Sequence, residues 1–204
     1  MSEIFKLSAG VDHLRDHEDW DVLSCFESRA TYGFGLGDVD LTKVSFVPFR
    51  LTGSPVGRAD LLVGTEFFLV MTPRLLRFFE SLGDFPHQVI PAPLVPDRDD
   101  WRDHPPIDST SFVVCNLHKP LHIIDFDRSD LEPIEQAPGM SRIHRLALVE
   151  GVTVPPLFRQ DDWVFPSLIP RTTRDALLAA GIEDLNIRPL HGGVIILDEI
   201  KRPQ

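Results

Sequence analysis

The chain has 204 residues, of which 43% are hydrophobic and 25% charged, and a formal net charge of −11 at pH 7. That length and composition suit one globular domain or two small ones, and exclude a disordered chain. The acidity argues against direct binding of nucleic acid or an anionic membrane, both of which need a basic footprint. It suits either solubility alone or a basic protein partner.

No apolar run reaches the roughly 18 residues of a membrane helix. "MSEIFKLSAG" lacks the basic start and apolar stretch of a signal peptide, so a cytoplasmic protein is expected. The two cysteines, Cys25 in "VLSCF" and Cys115 in "FVVCNL", read as buried strand thiols. A disulfide is open to them, and a reduced pair is expected.

In chain order, "EIFKLSA" alternates apolar and polar residues and reads as an edge strand. "DHLRDHEDWD" is a polar connector, "WDVLSCF" a strand and "TYGFGLGD" a loop. "KVSFVPFRL" is a strand placed at an edge or bulge by Pro48. "EFFLVM" reads as buried strand.

At Thr72 the period changes. Thr72 is a good N-cap, Pro73 suits the first helical position, and Gly83 is a natural stop. Leu75, Leu76, Phe78, Phe79 and Leu82 make an apolar stripe between them. "HQVIPAPLV" then reads as one extended strand. Residues 95–110, "VPDRDDWRDHPPIDST", are the expected long loop or subdomain boundary.

"SFVVCNL" and "LHIIDF" read as strands that a hairpin could join, and "SRIHRLALVE" as a further strand. "RTTRDALLAA" reads as a second helix, with Thr172 or Thr173 as its cap and Gly181 as its stop. "DLNIRPL" and "GGVIILDEI" close the chain as strands. The fold class expected is therefore α+β, a mixed and mostly antiparallel sheet with few short helices.

Two stretches share one phrase. "MTPRLLRFFESLGDFPHQVIPAPL" and "IPRTTRDALLAAGIEDLNIRPL" each run from an apolar residue and a proline, through a short helix and a glycine, into a strand. Two similar halves within one domain, 1–204, would produce this. So would any pair of strand–helix–strand crossovers.

Candidate chemistry is sparse. His118 and His122 are four apart in extended context, which puts them about 13 Å from each other. His13 and His17, among Asp12, Asp16, Glu18 and Asp19, lack the order of a metalloprotease helix. Asp125 and Asp127 are paired carboxylates at strand spacing that could bind a cation. "GFGLG" lacks a P-loop lysine. No nucleophile, base and orienting group assemble, so no catalytic residue, metal site or cofactor is expected. The rival readings are a small hydrolase or metal-dependent enzyme using those histidines and acids, and a homo-oligomeric regulatory or structural module.

What stands out is tryptophan amid aspartate. Trp101 lies with Asp97, Asp99, Asp100 and Asp103, and Trp163 follows Asp161 and Asp162. Trp20 is similarly flanked. Each tryptophan either anchors its loop inward or serves as an interface hot spot beside acids that complement a basic partner. The eight residues at 97, 99, 100, 101, 103 and 161–163 are the expected partner-binding residues.

The order of these elements resembles a family of bacterial immunity proteins from polymorphic toxin systems, first catalogued as a domain of unknown function. The resemblance runs over roughly residues 60–190. It is carried by "FFLVMTPRLLRFFESLG", "QVIPAPL", "FVVCNLHKPLHIIDFDRSD" and "PLFRQDDWVFPSLIPRTTRDALLAAGIEDLNIRPL", with Asn116 and Ser129 at matching positions. The serine usual before the last helix is displaced in "PSLIPRTT". The resemblance implies a single immunity-type domain that binds a cognate toxin effector, often a nuclease, in the producer's cytoplasm and blocks its active or substrate-binding surface. It implies no enzymatic activity and no direct contact with nucleic acid or membrane.

Overall fold

In the computed structural model, the described residues are 3–9, 21–25, 49–52, 60–64, 69–96, 100–107, 110–137, 140–160, 167–182 and 185–196. They form an α+β fold of short, mostly antiparallel sheets. The strands are β1 (Ile4–Ala9), β2 (Asp21–Cys25), β3 (Phe49–Thr52), β4 (Leu61–Gly64), β5 (Leu69–Met71), β6 (Gln88–Pro91), β7 (Leu94–Val95), β8 (Val113–Asn116), β9 (Ile124–Pro133), β10 (Met140–Leu148), β11 (Ser167–Pro170), β12 (Leu185–Pro189) and β13 (Val194–Ile196). The helices are α1 (Pro73–Leu82) and α2 (Arg171–Ala179). His13, His17, the "GFGLG" segment and Pro48 lie outside the described residues.

The shared phrase of the sequence folds the same way twice. β5 and β6 both pair antiparallel with β8, which lies between them, and α1 carries the chain from one to the other. β11 and β12 both pair antiparallel with β1, which lies between them, and α2 makes the crossover. Each unit is thus a strand–helix–strand crossover split by a third, antiparallel strand. The middle strand comes from downstream in the first unit and from the N-terminal end of the chain in the second.

This corrects the reading of β1 as an edge strand. Alternation reports that a strand has one buried face, not where it sits in a sheet. Here one face is buried along the strand and the other is buried at its start, at Ile4, with Lys6 exposed. Phe5 and Leu7 join Ile169 in the core under the two helices, whereas Ile4 and Leu168 pack on the other side with Ile123, Ile124 and Ile143 of the β9–β10 region.

α1 follows its local code. The Thr72 hydroxyl accepts from the Leu75 N–H at 3.2 Å, Pro73 opens the helix, and Gly83 ends it at φ 147°. Leu75, Leu76 and Phe79 are buried, Phe78 is half-buried, and Leu82, expected in the stripe, is 39% exposed. α2 departs from its code. Pro170 is the N-cap, without a side-chain hydrogen bond, and neither Thr172 nor Thr173 caps. Thr173 is instead buried within the first turn. Gly181 holds φ 68°, the left-handed turn that stops the helix.

Two further expectations differ. "HQVIPAPLV" is not one strand: β6 pairs with β8, and β7 leaves to pair parallel with β3. No hairpin joins β8 to β9. They belong to different sheets, and β9 pairs with β10. His118 to Ile123 span that change of sheet.

The turn between sheets is held by a polar group in the core. Gln160 has no exposed surface. Its Oε1 accepts from the N–H groups of Ile123 at 2.9 Å and Ile124 at 2.8 Å, and its Nε2 donates to the Ile124 carbonyl at 3.1 Å. One side chain replaces the strand that this backbone would otherwise need.

Candidate partner-binding surface

The acidic loop leaves β7 and returns toward β8. Asp97 and Asp99 lie outside the described residues. Asp100 opens a turn, and Trp101–Asp103 form a single 3₁₀ turn. The Asp103 N–H donates to the Asp100 carbonyl at 2.9 Å, and His104 Nε2 lies 3.4 Å from Asp100 Oδ2. Past Pro105 and Pro106 the Ile107 N–H donates to the Leu94 carbonyl at 2.8 Å, which closes the loop onto β7.

This backbone frame turns Asp100, Arg102 and Asp103 to solvent. Of Trp101 the backbone alone is described. Ile107 is 56% exposed, unusual for a β-branched apolar side chain fixed at its own backbone. Carboxylates and one apolar contact therefore share the loop. The segment 97–103 carries four aspartates against two arginines, so its local balance is acidic. Asp161, Asp162 and Trp163 lie outside the described residues.

The other candidates of the sequence take structural places. Asp125 is half-buried; its Oδ1 accepts from the Arg128 N–H at 3.0 Å, and its carbonyl accepts from the Ser129 hydroxyl at 2.6 Å. Ser129 in turn accepts from the Ala147 N–H at 2.9 Å. Together they bridge the register shifts between β9 and β10. Asp127 is exposed on the same strand. Asn116 is buried at the end of β8 and donates to Gln88 at 3.3 Å. His118 is half-buried and His122 exposed. Among the described residues, no group of three or more His, Cys, Asp or Glu side chains could hold a metal ion.

Cys115 carries a free thiol with no exposed surface, and burial pushes its pKa well above the ordinary value. A thiol so placed stays protonated and shielded, the opposite of an activated nucleophile. Cys25 lies on β2. No helix among the described residues is long and apolar enough to cross a membrane.

The sequence reading missed one concave feature. A pocket of about 400 Å³ lies between β1, α2 and β12, with Phe5 and Arg174 among its lining. Its residues come from segments about 170 positions apart, so no local spacing could reveal it; the one local signal is Leu178, an apolar residue left exposed on α2. No protein-family model matches this chain, and no curated protein matches it.

Proposed function

We propose that this protein is an immunity protein, which binds a cognate toxin effector in the cytoplasm of the producing bacterium and blocks the effector's active or substrate-binding surface. The observation that carries the reading is the loop after β7, where exposed Asp100 and Asp103 precede exposed Ile107 on a backbone closed by the Ile107–Leu94 hydrogen bond. Apolar contact beside charge is the composition of a protein interface, and loops on a rigid scaffold are where binding residues concentrate. The net charge of −11 supports a basic partner. A nuclease offers such a surface in its substrate groove, which an acidic protein would occupy in place of nucleic acid. The resemblance of residues 60–190 to immunity proteins supports the same reading. Binding, not catalysis, is its function in this proposal.

The test is genetic and biochemical. The reading frames neighbouring this gene are searched for a toxin domain, which is then expressed in a heterologous host with and without the protein. Restored growth together with a stoichiometric purified complex supports the proposal. Unrelieved toxicity with no complex overturns it.

A further inference from the structure

The pocket between β1, α2 and β12 has a chemistry of its own. Phe5, Leu178, Ile182, Leu185 and Ile187 make its walls apolar. Two charged residues, Glu3 and Arg174, also line it. Glu3 is already neutralised: its carboxylate pairs with the Arg171 guanidinium, and its carbonyl accepts from the Arg171 N–H at 2.9 Å.

Arg174 is differently placed. Its guanidinium carbon stands 4.8 Å from the centre of the Phe5 ring. One terminal nitrogen lies 3.0 Å from the carboxylate of Asp175, which is exposed. A pair between solvent-exposed groups contributes little. The Nε of Arg174 is buried and donates to nothing. A buried donor without an acceptor is costly, so the guanidinium gains if an acceptor displaces Asp175 and lets it re-seat.

We infer that this pocket is a binding site for a small amphipathic carboxylate, its apolar body against Phe5, Ile182 and Ile187 and its carboxylate on the Arg174 guanidinium. The volume is at the small end of the range for ligand sites, which suits one short aliphatic or aromatic acid. The lining selects an anion: Glu3 already pairs with Arg171, whereas Arg174 keeps a buried Nε donor without an acceptor. A fork of guanidinium donors matches a carboxylate. The protein as a whole is strongly acidic, so anions do not gather on it without a specific site. The inference makes no use of the toxin-binding reading, and either can fail alone.

The test uses the full chain with octanoate and octan-1-ol, which share an apolar body and differ in charge. Binding is followed by calorimetry and by the Arg174 Nε–H resonance. Octanoate should bind at least about tenfold more tightly than octan-1-ol, since a hydrogen bond to a charged group contributes about 1.5–3 kcal/mol. Arg174→Gln should erase that difference while leaving the alcohol's affinity unchanged, and Arg174→Lys should keep part of it. Ile187→Trp should fill the pocket and abolish both, with an unchanged thermal midpoint showing that the fold persists. Equal affinity for the two probes, octanoate binding undiminished in Arg174→Gln, or no octanoate binding at about 10 mM overturns the inference.

Discussion

Asp60 grips Thr72 at two points: the Asp60 carbonyl accepts from the Thr72 N–H at 2.8 Å, and the Asp60 carboxylate accepts from the Thr72 hydroxyl at 2.6 Å. The same hydroxyl caps α1 through Leu75. Arg74 adds two hydrogen bonds to the Asp60 carboxylate, which hold its guanidinium pKa above the ordinary value. The start of β4 is thus fastened to the start of α1.

Thr72→Ala removes the cap and leaves buried Asp60 short of one donor. A cap lost to alanine costs about 1–2 kcal/mol. Thr72→Ser, which keeps the hydroxyl, should recover most of it. Urea midpoints of the two variants beside the parent decide the point; equal midpoints for alanine and parent would sink the account.

At α2 the expectation is reversed. Thr172 is exposed and is not the N-cap. Thr172→Ala should change stability by less than about 0.5 kcal/mol, as substitutions away from special features do. A loss as large as that of Thr72→Ala would place a cap where the backbone has none.

Gln160→Leu keeps shape and removes three buried hydrogen bonds. Two N–H groups and one carbonyl at the start of β9 then face an apolar side chain. Each buried group left unpaired costs about 1–3 kcal/mol, so a loss of about 3 kcal/mol or more is expected in denaturant unfolding. A loss under about 1 kcal/mol would show that other groups take over.

Gln160 also marks the limit of what the residues disclose in line. α1 was legible because cap, proline, stripe and glycine are neighbours, and their interactions span three or four residues. The fold class was legible for the same reason, strand by strand. The middle position of β1, the split of "HQVIPAPLV" between two sheets and the absence of a β8–β9 hairpin depend on partners far away in sequence. Period-2 alternation in β1 carries the same signal whether one neighbour or two are paired to it. β4, in "ADLLVG", passed unread beside stronger runs. The acidic loop was legible as a loop from its prolines and aspartates. That Ile107 stands exposed at its end depends on its backbone bond to the Leu94 carbonyl, which no composition reveals.

Cys115 gives a pH prediction. Its folded-state pKa is raised by burial above the ordinary 9.0, so the folded protein holds this proton where the unfolded chain has lost it. The unfolded state then binds fewer protons, and stability falls as pH rises above about 9, by up to about 1.4 kcal/mol per pH unit from this one group. Below pH 8 the group contributes no pH dependence. In a Cys25→Ser background, Cys115→Ala should flatten the alkaline limb of a stability–pH curve, and the native thiol should resist alkylation at pH 8 until denaturant is added. Rapid alkylation of the folded protein would contradict the burial.

The loop after β7 separates charge from contact, and the proposed toxin complex can be dissected accordingly. Asp100→Asn and Asp103→Asn together keep shape and remove two negative charges from an exposed turn. Rim charges act mainly on the encounter, so association should slow and lose much of its salt dependence while dissociation changes little. Ile107→Ser removes apolar contact without touching charge, so dissociation should quicken while association holds. Trp101→Ala should cost about 2 kcal/mol in affinity if its ring is a hot spot. Each variant is measured by surface-based kinetics at low and moderate salt, with thermal unfolding alongside, so that a destabilised loop is not mistaken for a lost contact. Because the Ile107 N–H is bound to the Leu94 carbonyl through the backbone, the serine variant keeps the loop closed. If the aspartate variants associate as fast as the parent at low salt and Ile107→Ser dissociates no faster, the partner lies on another face, and the acidity of this loop serves solubility alone.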